Sequence, residues 1–322
     1  MAAGSRTEQE VASQPACWRE AALLADGLAG LLPASGERVA VAGCGTSWFM
    51  AQAYAAAREE AGQGETDAFA ASEMPAGRRY DRVLVLCRSG TTTEIVQLLD
   101  RLRGRVPTVA ITAVAGTPVA QAADAVIELA FADEESVVQT RFATTELALL
   151  RAHLGHDMTA VAAAGQKALA EPLPAALTGA RQFTFLGTGW TCGLANEAAL
   201  KLREAAGMWT EAYPAMEYRH GPISVTGPGS VVWLFGPAPD GLPAEVAAAG
   251  GLAWQSDRDS LAELVLVQRL AATVARAHGL DPDRPRNLTR SVILTPPARG
   301  SDPPEPPGGP KARSFVTGLG PR

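Results

Sequence analysis

The sequence of 322 residues predicts an α/β protein built from doubly wound parallel sheets, with two copies of one α/β unit in tandem. Short β-branched or apolar runs alternate with longer helical stretches, the pattern of parallel strands covered by helices on both faces. A Gly-x-Gly turn followed by an alanine-rich helical run also occurs twice. Gly43 and Gly187 lie 144 residues apart, and so do Gly45 and Gly189, which indicates a duplicated unit.

In the first copy the apolar runs predict five strands separated by helices. We expect the strands at 38–42, 67–70, 82–87, 108–112 and 125–129. We expect the main helices at 48–61, 92–103 and 143–154. Because each helix carries the chain back across the sheet, consecutive strands can run parallel.

The second copy shows the same alternation with fewer elements. Its strands are predicted at 182–186, 230–235 and 252–255, and a long helix at 260–278. The stretch 236–254 looks compressed, so one strand–helix unit is expected to be short. Prolines near residue 175 mark the junction between the copies. The predicted organisation is therefore a helical segment at 1–35, two α/β units at 36–175 and 176–296, and a disordered Pro/Gly-rich tail at 297–322.

Composition excludes several classes of protein. Hydrophobic residues make up 47% of the chain, which is ample for a large core. The net charge is −6 and no basic block occurs, so neither nucleic acid nor an anionic membrane is an expected partner. No apolar run reaches the ~20 residues of a membrane-spanning helix, and the first ten residues lack the apolar stretch of a signal peptide. The four cysteines show no CxxC spacing, which favours a reducing, cytoplasmic compartment.

Two turns that follow predicted strands have the composition of an anion site. They offer backbone N–H groups, hydroxyls and helix N-termini through Gly45, Thr46, Ser47, Ser89, Gly90, Thr91 and Thr92. Such turns bind a phosphate group without any lysine. The alternative is that these residues only cap helices, as Thr91 and Glu94 do in a capping-box pattern. Two such turns at one sheet edge favour an anionic ligand, although neither is a Walker loop or a complete dinucleotide motif.

A third segment, 135–145, is rich in side-chain donors and leads into a helix. Its Arg141 has two open roles: it holds an oxygen of the substrate, or it cross-links the two copies.

The helix after the second Gly-x-Gly turn carries Glu197, Lys201 and Glu204 on one face. Alone, this spacing is typical of a solvated face of salt bridges. The helix, however, starts at the carboxyl edge of the second sheet, and segment 211–222 adds carboxylates, an arginine and His220. A carboxylate beside a lysine suits proton transfer next to a carbonyl, and a histidine suits the opening of a sugar ring. No metal-ligand spacing and no GxSxG elbow occurs, so no metal and no serine hydrolase is expected.

Seven segments, in order along the chain, resemble the sugar isomerase (SIS) domain family. They are residues 10–15, 43–47, 88–92, 197–204, 211–213, 220–222 and 284–292. The resemblance is to the isomerase half of glutamine–fructose-6-phosphate aminotransferases and to stand-alone deaminases and ketose/aldose isomerases.

The resemblance implies tandem SIS domains of flavodoxin-like topology that bind a hexose 6-phosphate and need no cofactor. By family role, the phosphate or sugar hydroxyls would be held by Thr46, Ser47, Ser89 and Thr92. Glu204 would move a proton between C1 and C2, with Lys201 beside it. His220 would assist ring opening from a neighbouring subunit, so that a homodimer with shared active sites is expected.

The sequence departs from the family pattern at three points. Arg290 stands where the aminotransferase has a Schiff-base lysine, and a guanidinium cannot form that imine. Cys87 replaces the first serine of the second phosphate turn and is a weaker donor. No glutamine-hydrolysing domain precedes the first copy, so glutamine-driven amination is not expected of this chain alone.

These departures favour an amino-sugar phosphate isomerase/deaminase that converts glucosamine 6-phosphate to fructose 6-phosphate and ammonia. Two alternatives stay open. One is a ketose/aldose isomerase or a fructosamine-phosphate deglycase, which would use the same acid–base groups. The other is a sugar-phosphate sensor that does not catalyse, which would need the phosphate turns alone.

Overall fold

The computed structural model describes residues 4–75 and 77–294, which fold around two β-sheets. Within that part of the chain the strands are β1 (Val39–Gly43), β2 (Thr66–Ala70), β3 (Arg82–Leu86), β4 (Thr108–Thr112), β5 (Ala125–Glu128), β6 (Gln182–Gly187), β7 (Thr210–Pro214), β8 (Ser230–Phe235) and β9 (Leu252–Trp254). The α-helices are α1 (Arg6–Leu24), α2 (Thr46–Glu60), α3 (Thr93–Leu102), α4 (Pro118–Ala122), α5 (Arg141–His153), α6 (Met158–Ala170), α7 (Ala175–Thr178), α8 (Thr191–Ala206), α9 (Leu242–Ala248) and α10 (Ser260–Ala277).

Both sheets are parallel, which confirms the predicted α/β class. The first has the order β2-β1-β3-β4-β5 and the second β7-β6-β8-β9. The first order is that of a flavodoxin-like, doubly wound sheet, and the second reproduces its first four positions. Each strand predicted from the sequence begins and ends within one residue of its observed bounds. Five of them, β1, β3, β4, β6 and β8, are buried, mostly apolar runs, as expected of the central strands of a parallel sheet.

Strand β7 was missing from the prediction, which treated this region as part of a loop. It pairs only with β6 and forms the edge of the second sheet. Its sequence includes Glu211 and ends at Pro214, and proline is tolerated at an edge because one side of such a strand needs no ladder hydrogen bonds. The short α9 and three-residue β9 agree with the compressed stretch expected after residue 236.

Helix α1 is part of the central core, whereas only a short helix was expected in this region. It has 19 residues and packs against α5 and α6. Trp18 is fully buried, and its Nε1 donates to Thr144 Oγ1 at 2.9 Å. Gly165 of α6 makes room for the ring, because a Cβ there would lie 2.6 Å from it. The same core contains residues of both sheets, such as Val41 and Phe185.

Helices α2 and α8 lie directly against each other and join the two halves. A Cβ on Gly193 of α8 would come within 2.4 Å of the carbonyl oxygen of Phe49 on α2. This close approach brings the side chains of α8 to the turn from which α2 starts.

None of the helices in the described part of the chain is both long enough and apolar enough to cross a membrane. The tail predicted to be disordered, 297–322, lies outside the described residues.

Candidate functional site

A cavity of about 190 Å³ lies at the carboxyl edge of the first sheet. Five parts of the chain form its wall: the turns after β1 and β3, residues 137 and 139, the end of α8, and the segment 288–292. The polar and thiol side chains that line it are Cys44, Thr46, Ser47, Cys87, Arg88, Ser89, Thr92, Gln139, Glu204, Thr289, Arg290 and Ser291. The cavity therefore brings together the two hydroxyl-bearing turns of the first half and a carboxylate of the second.

Glycines determine the turn after β1. A Cβ on Gly43 would lie 2.4 Å from the backbone of Ser47, and Gly45 has a φ of +55°. Only glycine meets both requirements readily, so the chain can pass directly from the strand into α2. Thr46 and Ser47 are the first residues of α2 and are buried at its N-terminus, where backbone N–H groups have no partner within the helix. This arrangement favours an anion.

The turn after β3 gathers hydroxyls around one atom. The side-chain oxygens of Ser89, Thr91 and Thr92 lie 3.1, 2.9 and 3.3 Å from Ser291 Oγ. Gly90 allows the turn because its φ is +66° and a Cβ would lie 2.1 Å from a side-chain atom of Thr117. Sequence reasoning did not select Ser291. The one cue in the sequence is that a hydroxyl-bearing residue directly follows Arg290, within the segment 284–292 that resembles the family.

The acid–base groups of α8 are buried, so the alternative of a solvated salt-bridge face does not apply. Lys201 is 1% exposed, and its Nζ donates to Glu204 Oε2 at 2.6 Å. The same ammonium lies 3.3 Å from Glu197 Oε1 and donates to Thr46 Oγ1 at 3.0 Å. Lys201 therefore links the carboxylates of α8 to the first turn of the other half.

Burial and neighbouring charges set the protonation of this cluster. Burial raises the pKa of Glu197 to about 8, because the attraction of Lys201 only partly offsets the loss of water, and Glu204 adds repulsion. Burial alone would lower the pKa of Lys201, but the two carboxyl groups beside it raise that pKa. These shifts favour a protonated Glu197 and a cationic Lys201, while Glu204 lies partly open to the cavity.

Glu146 on α5 is a further buried carboxyl group that the sequence analysis did not select. It is fully buried, and neither of its oxygens has a hydrogen-bond partner among the described residues. Burial raises its pKa well above the ordinary range, and the nearby Cys87, Glu134 and Glu197 raise it further. Glu146 is therefore a neutral acid in the folded protein. A single glutamate in a helical run gave no signal of this environment.

A second cavity of about 340 Å³ adjoins Glu204 on its other side. Arg203, Arg284 and Arg286 line it, together with Asn287. Since Glu204 lines both cavities, its carboxylate lies at the junction of a hydroxyl-rich space and an arginine-rich one.

Arg290 lines the first cavity and pairs with Asp133. Its carbonyl oxygen accepts a hydrogen bond from Arg88 Nη2 at 3.0 Å. Arg88 is itself 4% exposed and lies near Glu134, at 3.5 Å. These contacts hold the C-terminal segment over the turn after β3.

Two predicted residues lie away from this cavity. The guanidinium of Arg141 donates to Ser13 Oγ at 3.0 Å and to the carbonyl of Asp133, so the arginine braces α1 rather than lining the cavity. His220 is exposed in a short 3₁₀ helix after β7 and does not line it within one chain.

No group of three or more His, Cys, Asp or Glu side chains in the described residues is arranged to hold a metal ion.

Comparison with known proteins identifies a domain family that matches part of this chain. The family model for the SIS domain matches residues 34–153. The glutamine–fructose-6-phosphate aminotransferase of Pyrobaculum aerophilum is 29% identical over 263 residues, which cover 66% of this chain and 44% of that protein. The aminotransferase of Methanothermobacter thermautotrophicus is 27% identical over 335 residues, with 89% and 57% covered. The chain thus spans about half the length of these curated relatives.

Solved structures show the same fold. The glucosamine-6-phosphate deaminase of Thermotoga maritima superimposes with a TM-score of 0.77 at 23% identity, covering 90% of this chain and all of that one. The tagatose-6-phosphate ketose/aldose isomerase of Escherichia coli gives 0.75 at 20% identity, with 91% and 97% covered. The part of the chain at residues 34–153 therefore matches the SIS domain.

Proposed function

We propose that this protein binds a hexose 6-phosphate and acts as an amino-sugar phosphate isomerase/deaminase. The observation that carries the proposal is the position of Glu204, whose carboxylate lines the same cavity as the hydroxyl-bearing turns after β1 and β3. The names of the relatives and neighbours, which include a glucosamine-6-phosphate deaminase, support the same substrate class.

The two turns suit the phosphate group of the substrate. Helices α2 and α3 both begin at the cavity, so two helix N-termini direct their positive dipole ends toward it. The hydroxyls of Ser47, Ser89 and Thr92 add neutral donors. A phosphate held here would take over the contacts that Ser291 Oγ now makes with the turn after β3.

The sugar carbons would then lie toward Glu204. In the open-chain amino sugar, the Glu204 carboxylate takes the proton from C2, and the same carboxyl group returns it to C1. The product of this transfer is an imine at C2. Water adds to that carbon and ammonia leaves, which gives the ketose phosphate. Lys201, at 2.6 Å, holds the carboxylate of Glu204 in place, and the raised pKa of Glu197 favours its protonated form.

Arg290 supports a reaction without an enzyme-bound imine. Its guanidinium lines the cavity but stays protonated at any physiological pH, so it offers charge and hydrogen bonds and not a nucleophile. In this role it would orient the sugar oxygens.

The second sheet is proposed to be a second SIS domain, covering 176–296, on the strength of its matching strand order. The exposed His220 is proposed to complete the cavity of a second subunit in a homodimer.

The test of the reaction is incubation of the full chain with glucosamine 6-phosphate while ammonia and fructose 6-phosphate are both measured. We expect equal amounts of the two products. Glu204→Gln should lower turnover by about 10²–10⁴-fold, the usual contribution of a general acid–base group. Glu59→Gln is the matched control on α2 and should keep full turnover, since Glu59 bonds only the backbone of Thr66. Saturable binding without any turnover would contradict the proposal, and sugar isomerisation without ammonia would replace the deaminase with an isomerase.

The shared site is tested by mixing two variants, Glu204→Gln and His220→Ala, each inactive alone. If His220 acts across the dimer, a mixed dimer contains one intact site, and an equal mixture recovers about a quarter of wild-type activity. If both residues act in one chain, every site in the mixture carries a substitution and no activity returns.

A further inference from the structure

Two cysteines occupy paired positions at the ends of adjacent strands. Strands β1 and β3 run parallel, and their register pairs Val41 with Leu84 and Ala42 with Val85. The paired residues end at Ala42 and Val85, and the same register extended by two residues would place Cys44 opposite Cys87. Neighbouring strands lie about 4.8 Å apart. This spacing falls within the Cα separation of about 4.4–6.8 Å that a disulfide requires.

The two side chains also lie on one face of the sheet and in one cavity. Paired residues of parallel strands point to the same side. Cys87 belongs to the apolar cluster on the α3 face of the first sheet, and Cys44 packs against that cluster. Both line the cavity between the two turns, so a small oxidant that enters the cavity can reach them.

The backbone around the pair can adjust. Cys44 lies between Gly43 and Gly45, beyond the last residue of β1, whereas Cys87 is still held to β4 by a hydrogen bond from its N–H to the carbonyl of Ile111 at 3.0 Å. A small shift of the glycine turn is therefore enough to bring one sulfur to the other.

We propose that Cys44 and Cys87 form a redox-sensitive dithiol, which a peroxide converts to a disulfide that blocks the anion turns. In the first step the Cys87 thiol gives up its proton and its sulfur attacks one peroxide oxygen; the O–O bond breaks, the departing hydroxide takes that proton, and a sulfenic acid and water result. The Cys44 sulfur then attacks the sulfenic sulfur; the S–O bond breaks, the departing hydroxide takes the proton of the Cys44 thiol, and the disulfide and a second water form. Overall, two thiols and one hydrogen peroxide give one disulfide and two waters.

The surroundings of the two thiols indicate which of them reacts first with the peroxide. Burial raises the pKa of Cys44 to about 12, and the nearby Glu94 adds to the effect, so very little Cys44 thiolate exists near neutral pH. Cys87 is consequently the first to react. Its sulfur lies 3.8 Å from Ser89 Oγ and 3.6 Å from Thr92 Oγ1, at the N-terminus of α3.

The Cys44–Cys87 disulfide would weaken phosphate binding at the proposed site. This consequence rests on the proposed function. A disulfide draws the Cys87 sulfur away from Ser89 and Thr92 and ties the turn after β1 to the turn after β3. The disulfide would thereby change the spacing of the two sets of donors that line the cavity. Losing a single hydrogen bond to a charged group corresponds to about tenfold in affinity.

The experiment uses the full chain carrying Cys17→Ser and Cys192→Ser, so that only the pair remains. Neither replaced cysteine lines the cavity. After treatment with hydrogen peroxide, mass spectrometry should show the loss of two hydrogen atoms from a monomeric chain and a Cys44–Cys87 cross-linked peptide. The affinity for inorganic phosphate should fall about tenfold or more. Dithiothreitol should reverse both changes.

Further variants decide the remaining outcomes. Cys44→Ser or Cys87→Ser in the same background should abolish the loss of two hydrogens. Addition of oxygen to both sulfurs without a cross-link, or a link between chains only, would overturn the proposal. A disulfide that leaves phosphate affinity unchanged would overturn the blocking effect. If the reduced protein does not bind phosphate, the proposed function fails, while peptide mapping still decides whether the dithiol exists.

Discussion

Helices α2 and α8 both carry an arginine followed by a glutamate near their C-terminal ends, but the two helices use this pair differently. In α2, Arg58 is fully buried and Glu59 Oε1 accepts from the backbone N–H of Thr66 at 2.8 Å, so the pair fixes the start of β2. In α8, Arg203 bonds the carbonyl of Thr210 at 3.0 Å in a similar way. Glu204, however, pairs with Lys201 and lines the cavity. The residue that serves structure in the first half is available for chemistry in the second.

The glycine turns that precede α2 and α8 differ in the opposite sense: here the first half faces the cavity and the second half serves the fold. Gly43 and Gly187 both exclude a Cβ, which would come within 2.4 Å of the following backbone in each case. In the second half, the Thr191 hydroxyl accepts from the N–H of Thr188 and donates to the carbonyl of Phe235 at 2.8 Å, so it serves the fold. In the first half the hydroxyls face the cavity. The cavity therefore combines hydroxyl-bearing turns of the first half with the end of a helix of the second half.

The largest effect is expected at Lys201. Lys201→Met removes the only cation that the structure places within 4 Å of Glu197 and Glu204. Breaking a buried ion pair in this way costs about 3–5 kcal/mol, so the free energy of unfolding should fall by that amount in urea denaturation. Lys167→Met, at an exposed position of α6, is the control and should change it by less than about 0.5 kcal/mol. An equal, small effect of both substitutions would contradict the buried cluster.

The paired glycines give a sharper comparison. Gly43→Ala and Gly187→Ala meet the same steric conflict, and each should lower the free energy of unfolding by about 1–3 kcal/mol. Only Gly43→Ala should also weaken phosphate binding, because only that turn opens on the cavity. Thermal denaturation with and without phosphate measures both effects. A loss of phosphate binding in Gly187→Ala as well would mean that the second turn takes part in the site.

Two substitutions that each remove one hydroxyl should distinguish an effect on phosphate binding from an effect on the stability of the fold. Ser89→Ala removes a donor that faces the cavity, so it should weaken phosphate binding about tenfold while stability changes by less than about 0.5 kcal/mol. Thr191→Val removes a buried hydroxyl with two backbone partners, so it should cost about 1–3 kcal/mol and leave phosphate binding intact. The reverse pattern would show that the functions of the two turns have been assigned the wrong way round.

The fold could be predicted closely because the strands of both sheets carry their own signal. Buried runs such as Val39–Gly43 and Ser230–Phe235 are apolar and bounded by glycine, and glycine turns repeat at a constant spacing. Strand β7 was missed because an edge strand needs neither a continuous apolar run nor freedom from proline. Local pattern is thus informative where burial is complete and weak where it is partial.

The site was predictable only in part, because burial of a helix face depends on the helix that covers it. The spacing of Glu197 and Lys201 fits a solvated face as well as a buried one. What decides between them is Gly193, which lets α2 approach and cover these side chains. Ser291 and Glu146 gave no usable signal, since their roles come from contacts with residues that are distant in the sequence.

A further pH dependence of stability is expected from Glu197 on α8. At the matching positions of α2, 145 residues earlier, Gln52 and Ala56 stand in place of Glu197 and Lys201, so that helix has no equivalent buried acid. The pKa of Glu197 is raised from 4.5 to about 8, so between these values the folded protein holds a proton that the unfolded chain releases. The unfolded state then binds fewer protons, and stability falls as the pH rises through this window. Glu197→Gln removes that dependence, so its stability relative to wild type should increase from pH 5 to pH 8 in urea denaturation. Parallel curves for the two proteins would mean that Glu197 is already ionised in the folded state, held so by Lys201.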